Sequence, residues 1–115
     1  MHPRSPKLLE DIRDAASYVQ EVTAGIEFEK FQQDRLLRQA VERNFEILGE
    51  AVRRLDKEDP ATAARIADHR HIIAFRNVLI HGYDVVEPAI VWSAVRDDLE
   101  PLLRDVEALL KTFRR

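Results

Sequence analysis

At 115 residues, 45% of them apolar and 34% charged, with only 3 Gly and 5 Pro, the chain has the makings of one helical domain rather than a sandwich or barrel. The absence of cysteine excludes disulfides, thiolate catalysis and Cys-based metal clusters. A net charge of −3 argues against a broad electrostatic grip on nucleic acid, and no apolar run approaches membrane-spanning length, so a soluble protein compatible with the cytoplasm is expected.

The first helix is announced by Ser5 as a cap, Pro6 at the first helical position and acidic Glu10 and Asp11 near its positive end. Leu8, Leu9, Ile12, Ala15, Ala16, Val19 and Val22 follow at helical spacing, and Gly25 ends the run. A short segment, FEKFQQD, leads to a second helix over roughly Asp34 to Leu55, whose stripe is Leu37, Val41, Phe45, Leu48, Ala51, Val52 and Leu55. Glu42, Glu46 and Glu50 form a row beside that stripe at four-residue spacing.

Asp59 and Pro60 give the next start signal, and ATAARIAD suits a separate short helix. HRHIIAFRNVLIHG then reads as a helix stopped by Gly82 in the left-handed position. Its Ile72, Ile73, Val78, Leu79 and Ile80 leave little of it unburied, as expected inside a bundle or at an interface. The last helix runs from near Glu87-Pro88 to about Phe113, with a kink or break expected near Pro101. Residues 1–115 thus predict a single all-α domain, an up-down bundle of four or five helices.

Polar side chains crowd the end of the HRHIIAFRNVLIHG helix. Asn77 and His81 are four apart and share a face, whereas Arg76 points about 140° away from His81 around the axis. One helix does not readily close Arg76 onto His81, and a second copy of the chain offers another way to bring them together. Each residue also has an ordinary structural role open to it: a dipole partner for Arg76 and His81, a hydrogen-bonded Asn77, a half-buried Tyr83. Between Pro60 and His81, Arg65, Arg70 and Arg76 face a single acid, Asp68, which leaves a local basic face for phosphates.

The string RNVLIHGY carries an R-x4-H-x-Y pattern that resembles the HEPN superfamily, and in particular its HepT-like ribonuclease toxin branch. AVERNFEILGEAVRRL resembles that branch's second helix, and YDVVEPAIVWSAVRDDLEPLL its entry to the final helix, so the likeness extends from about Gln39 to Leu103. One departure is ADHRHIIAF, where relatives often carry Pro-Trp ahead of the motif helix.

The resemblance implies an HEPN-like bundle acting as a dimeric, metal-independent endoribonuclease toxin that requires no cofactor. It is neutralised by a minimal nucleotidyltransferase antitoxin, as in a type VII-like toxin–antitoxin pair. By the same resemblance Arg76 and His81 are the catalytic pair, Asn77 the polar residue that follows the Arg, and Tyr83 the site of AMP attachment. The substrate is an RNA, transfer or messenger, with Arg70 and His71 as candidate RNA contacts. His69 and His71 flank Arg70 in a metal-like HRH string, but adjacent helical positions point apart. A carboxylate of the Glu42, Glu46 and Glu50 row is placed to orient His81, to pair with Arg76, or simply to be solvated beside Arg43 and Arg53. Trp92 suits the core or a dimer interface. The competing readings are a non-catalytic helical module that binds a nucleotide or a nucleotidyltransferase, and a purely structural bundle.

Overall fold

The computed structural model describes residues 2–82, 84 and 86–113, and its regular structure is entirely α-helical among them. In chain order the helices are α1 (Ser5–Thr23), α2 (Phe28–Gln33), α3 (Arg35–Glu58), α4 (Pro60–Ala63), α5 (His69–His81), α6 (Pro88–Asp97) and α7 (Leu99–Phe113). Two short helices and one broken one account for the difference from the four or five expected. FEKFQQD is not a linker but α2, and Phe31 anchors it in the core.

The long C-terminal run divides at Asp98, three residues ahead of Pro101. A proline ring collides with the carbonyl four residues back, and here that carbonyl belongs to Asp97, the last residue of α6. None of the described helices is long and apolar enough to cross a membrane.

Helix periodicity explains the layering. Leu9, Ile12, Ala15, Ala16 and Val19 put one buried face of α1 against both α3 and α7. On α3 the buried stripe is Val41, Phe45, Leu48, Ala51, Val52 and Leu55, and Leu99, Leu102, Val106, Leu109 and Leu110 are its counterpart on α7. α5 packs on α3, where Phe45 and Phe75 meet edge to face with centroids 5.3 Å apart. α6 lies against α2, and Trp92 covers Phe31 at 5.0 Å between centroids.

Of the two caps expected, Asp59 holds and Ser5 does not, while Asp34 supplies a further one. The Asp34 side chain accepts the backbone N–H of Leu37, and the Asp59 side chain accepts that of Thr62. Ser5, however, is not the cap of α1. That position is Arg4, while Ser5 is buried and donates its hydroxyl to Asp59 at 2.7 Å. Asp59 also accepts from the Thr62 hydroxyl at 2.6 Å and the His2 backbone N–H at 3.1 Å, so one carboxylate ties the start of α1 to the α3–α4 junction. Hydrogen bonds from Thr62 and Ser5 hold its carboxyl well below the usual range.

Glycines also divide between expectation and correction. Gly25 takes the left-handed conformation just past α1, at φ 73°. Gly82 does not: its φ is −112°, and its N–H closes α5 on the Val78 carbonyl at 2.7 Å. The left-handed residue near α5 is Asp68, at φ 56°, which turns the chain into the helix's first residue.

Candidate functional site

The crossing of α3 and α5 is built around Gly49. A Cβ added there would collide with the Arg76 Cβ and lie 2.9 Å from its Cγ and 3.4 Å from the Ile72 carbonyl oxygen. Only a glycine lets the two helices approach this closely, and the approach lays the Arg76 stem across α3.

The guanidinium then reaches acceptors on both helices. Arg76 Nη2 donates to Glu50 Oε2 at 2.6 Å, and Nη1 donates to Asn77 Oδ1 at 2.8 Å. Its Nε is buried with no acceptor among the described residues. The side chain is 20% exposed, so the charge is half sheltered but still reachable.

Glu50 is shared. Its carboxylate also accepts from Arg53, whose Nη2 lies at 2.9 Å, and from Arg54 Nε at 3.1 Å. Hydrogen bonding from Arg53, followed by Arg54 and the Arg76 charge, lowers its pKa against the opposing pull of partial burial. Of the three row glutamates, Glu50 is the one that meets the motif arginine. Glu46 pairs with Arg43 at 3.4 Å, and burial raises the carboxyl of Glu42.

Arg76 opens onto a cleft of about 270 Å³ between α1, α3 and α5. Leu8, Ile47, Ala51 and Ile80 supply apolar lining, and Arg43, Arg54 and Arg76 line it together with Asp11, Glu46 and Glu50. His81 is the next residue after Ile80 and ends α5 as an exposed side chain. No hydrogen bond joins it to Asn77: the amide expected to reach His81 accepts from Arg76 instead. Arg76, read on the helical wheel as pointing about 140° away from His81, takes its course toward α3.

The other candidates lie elsewhere. Arg70 is exposed near the start of α5. His71 lines a separate cleft of about 210 Å³ with Phe75, Ile90, Ser93, Ala94, Asp97 and Asp98, and its Nε2 is 3.4 Å from Asp98. Burial raises the Asp98 carboxyl while His71 opposes the shift. His69 turns to Asp56 at 3.3 Å, so the two histidines of HRH diverge. Tyr83, the AMP-site candidate, lies outside the described residues.

α5 is also less covered than its composition suggests. Ile72 and Leu79 are buried, but Val78 is 48% and Ile80 37% exposed, and Ile47 on α3 is 38% exposed. Sequence reasoning overlooked Gly49, although a glycine inside a strongly helical stripe is a signal of close backbone approach.

Residues 12–109 match the family described as Ribonuclease HepT-like. A "Probable ribonuclease HepT" of Thermococcus cleftensis is 34% identical over 90% of this chain and 93% of its own length. A "Putative RNase" of Methanocaldococcus jannaschii is 30% identical over 86% of this chain and 90% of its own. Another "Putative RNase", from Caldanaerobacter subterraneus subsp. tengcongensis, is 33% identical over 90% of this chain and 91% of its own. No solved structure matches the chain. With Arg76 and His81 on one helix and the match spanning nearly all the bundle, the chain belongs to the HepT-like ribonuclease family.

Proposed function

We propose that this chain is a toxin-type endoribonuclease that cleaves RNA without a metal ion, using Arg76, His81 and Asn77. The observation that carries the reading is Arg76, a half-sheltered guanidinium held at the wall of a cleft on the motif helix of a ribonuclease family.

RNA supplies its own nucleophile. The 2′-hydroxyl loses its proton to a base, a 2′-O–P bond forms, the P–O5′ bond breaks, and the 5′-oxygen takes a proton. The products are a 2′,3′-cyclic phosphate and a 5′-hydroxyl. His81 is suited to the proton transfers because imidazole titrates near neutrality. Arg76 offers a permanently charged planar fork to the phosphoryl oxygens as negative charge builds there. Asn77, whose Oδ1 accepts from Arg76, holds that fork in orientation.

The active form in this reading is a homodimer. Ile80 and Ile47 expose apolar area beside Arg76, and a partner on that face would set two motif helices across one cleft. A minimal nucleotidyltransferase would silence the toxin by attaching AMP to Tyr83, adding an anion that competes with RNA phosphate for Arg76. The decisive experiment is digestion of transfer and messenger RNA in excess chelator by wild type, Arg76→Ala and His81→Ala, mapped by end sequencing. Undiminished cleavage by His81→Ala would remove the catalytic assignment.

A second reading is a non-catalytic module that binds a nucleotide or a nucleotidyltransferase. It draws on the acids of the same cleft, Asp11, Glu46 and Glu50, which oppose binding of a long polyanion. Tight nucleotide binding by a chain that leaves every RNA intact would favour it.

A further inference from the structure

We propose that Glu50 is the positioning residue for Arg76, fixing the plane in which the guanidinium faces the cleft. The inference rests on the ribonuclease reading of Arg76 and adds to it a residue on another helix that does not touch the substrate.

Two acceptors define the guanidinium plane, Glu50 at Nη2 and Asn77 at Nη1. Asn77 is exposed and adjacent in sequence to Arg76, so it moves with α5. Glu50 belongs to α3, and it alone among the described residues connects the guanidinium to the opposite side of the crossing. Gly49, its neighbour, removes the side chain that would otherwise hold the helices apart. The Gly49-Glu50 pair therefore both brings α5 close and receives its arginine.

The surroundings of Glu50 fit positioning better than neutralisation. Arg53 and Arg54 come from the next turn of α3 and donate to the same carboxylate, which fixes its place and keeps it anionic. Three guanidinium groups share one carboxylate, so the cluster remains positive and Arg76 keeps its attraction for a phosphate. The cleft's other acids are engaged elsewhere, Glu46 by Arg43 and Asp11 by Lys7. The second N–H on each of the Arg76 Nη1 and Nη2 atoms is left for phosphoryl oxygens.

The test measures kcat and KM for cleavage of one RNA by wild type, Glu50→Gln, Glu50→Asp, Arg76→Ala and the Glu50→Gln/Arg76→Ala double variant, with a thermal melt of each. Glu50→Gln is expected to lower kcat roughly 10- to 100-fold through misplacement of the fork. KM should stay within about threefold of wild type, and Glu50→Asp should recover part of the loss. In the Arg76→Ala background, Glu50→Gln should cost nothing further, because its effect passes through the arginine.

Wild-type kcat in folded Glu50→Gln overturns the proposal, as does a loss that adds in full to that of Arg76→Ala. A loss that merely tracks a lower melting temperature also overturns it. If Glu50→Gln does not fold, Glu50→Asp is judged by the same kcat and additivity criteria. If Arg76→Ala itself cleaves like wild type, the ribonuclease reading of that residue has failed instead, and the two failures are distinct.

Discussion

Glu50 and Arg76 meet at 2.6 Å across a helix crossing that has no room for a side chain at Gly49. This contact links the packing of the bundle to its candidate chemistry, because the residue that lets α3 and α5 touch sits beside the residue that receives the motif arginine.

Gly49→Ala tests that link. The added methyl meets the Cβ and Cγ of Arg76, atoms near the backbone that do not swing aside, so the helices must separate. Overpacking of this kind costs about 1–3 kcal/mol, more than the ~1 kcal/mol that alanine contributes over glycine in a helix. A lower denaturation midpoint together with reduced cleavage is expected in parallel chemical-denaturation and activity measurements. An unchanged or raised midpoint would show that the crossing has slack.

Arg76→Met should separate stability from activity. It removes a charge that is only 20% exposed and an Nε without an acceptor among the described residues, while Arg53 and Arg54 still satisfy Glu50. Removing one partner of a sheltered ion pair is costly chiefly when the other charge is left unpaired, and here Glu50 keeps two guanidinium partners. The expected result is a melting temperature within about 4 °C of wild type, a change on the order of 1 kcal/mol or less. RNA cleavage should fall roughly 100- to 1,000-fold. A large drop in melting temperature would make Arg76 a structural residue first.

Acid should loosen the N-terminal tie. Thr62 and Ser5 lower the folded-state pKa of Asp59 below its unfolded value, so the stabilisation is fully present above the unfolded pKa of about 4 and is lost as pH falls toward the folded value. Asp59→Asn should be less stable than wild type at pH 7, and the gap should narrow below about pH 4. Denaturation curves at stepped pH measure it, and a gap that stays constant into acid would place the stabilisation in something other than the anion.

The exposed apolar side chains beside the cleft predict self-association. Ile80→Lys places a charge on the exposed apolar face that Ile80 shares with Ile47 at the cleft. The wild type should sediment as a dimer and the variant as a monomer, with cleavage lost alongside dimerisation. A monomeric wild type with full activity would show that one chain suffices.

Much of the bundle was legible in the residues themselves. The apolar spacing of α1, α3 and α7 marks their buried faces because a helix repeats every few residues whatever it packs against. Asp34, Asp59 and Pro60 mark helix starts, and Pro101 divides the last run, because these effects act within a turn of the chain. The R-x4-H-x-Y string, together with its flanks AVERNFEILGEAVRRL and YDVVEPAIVWSAVRDDLEPLL, likewise pointed to the family.

Contacts between distant segments were decided only by the tertiary structure. Glu42, Glu46 and Glu50 are equivalent in the local pattern, and the position of the crossing at Gly49 is what selects Glu50 for Arg76. Ser5 looks like a helix cap until Asp59, 54 residues away, takes its hydroxyl. The apolar run on α5 does not reveal that Val78 and Ile80 remain exposed while Leu79 is buried. Helical periodicity is a property of neighbours along the chain, whereas partner choice depends on how whole helices pack, and that packing placed Arg76 against Glu50.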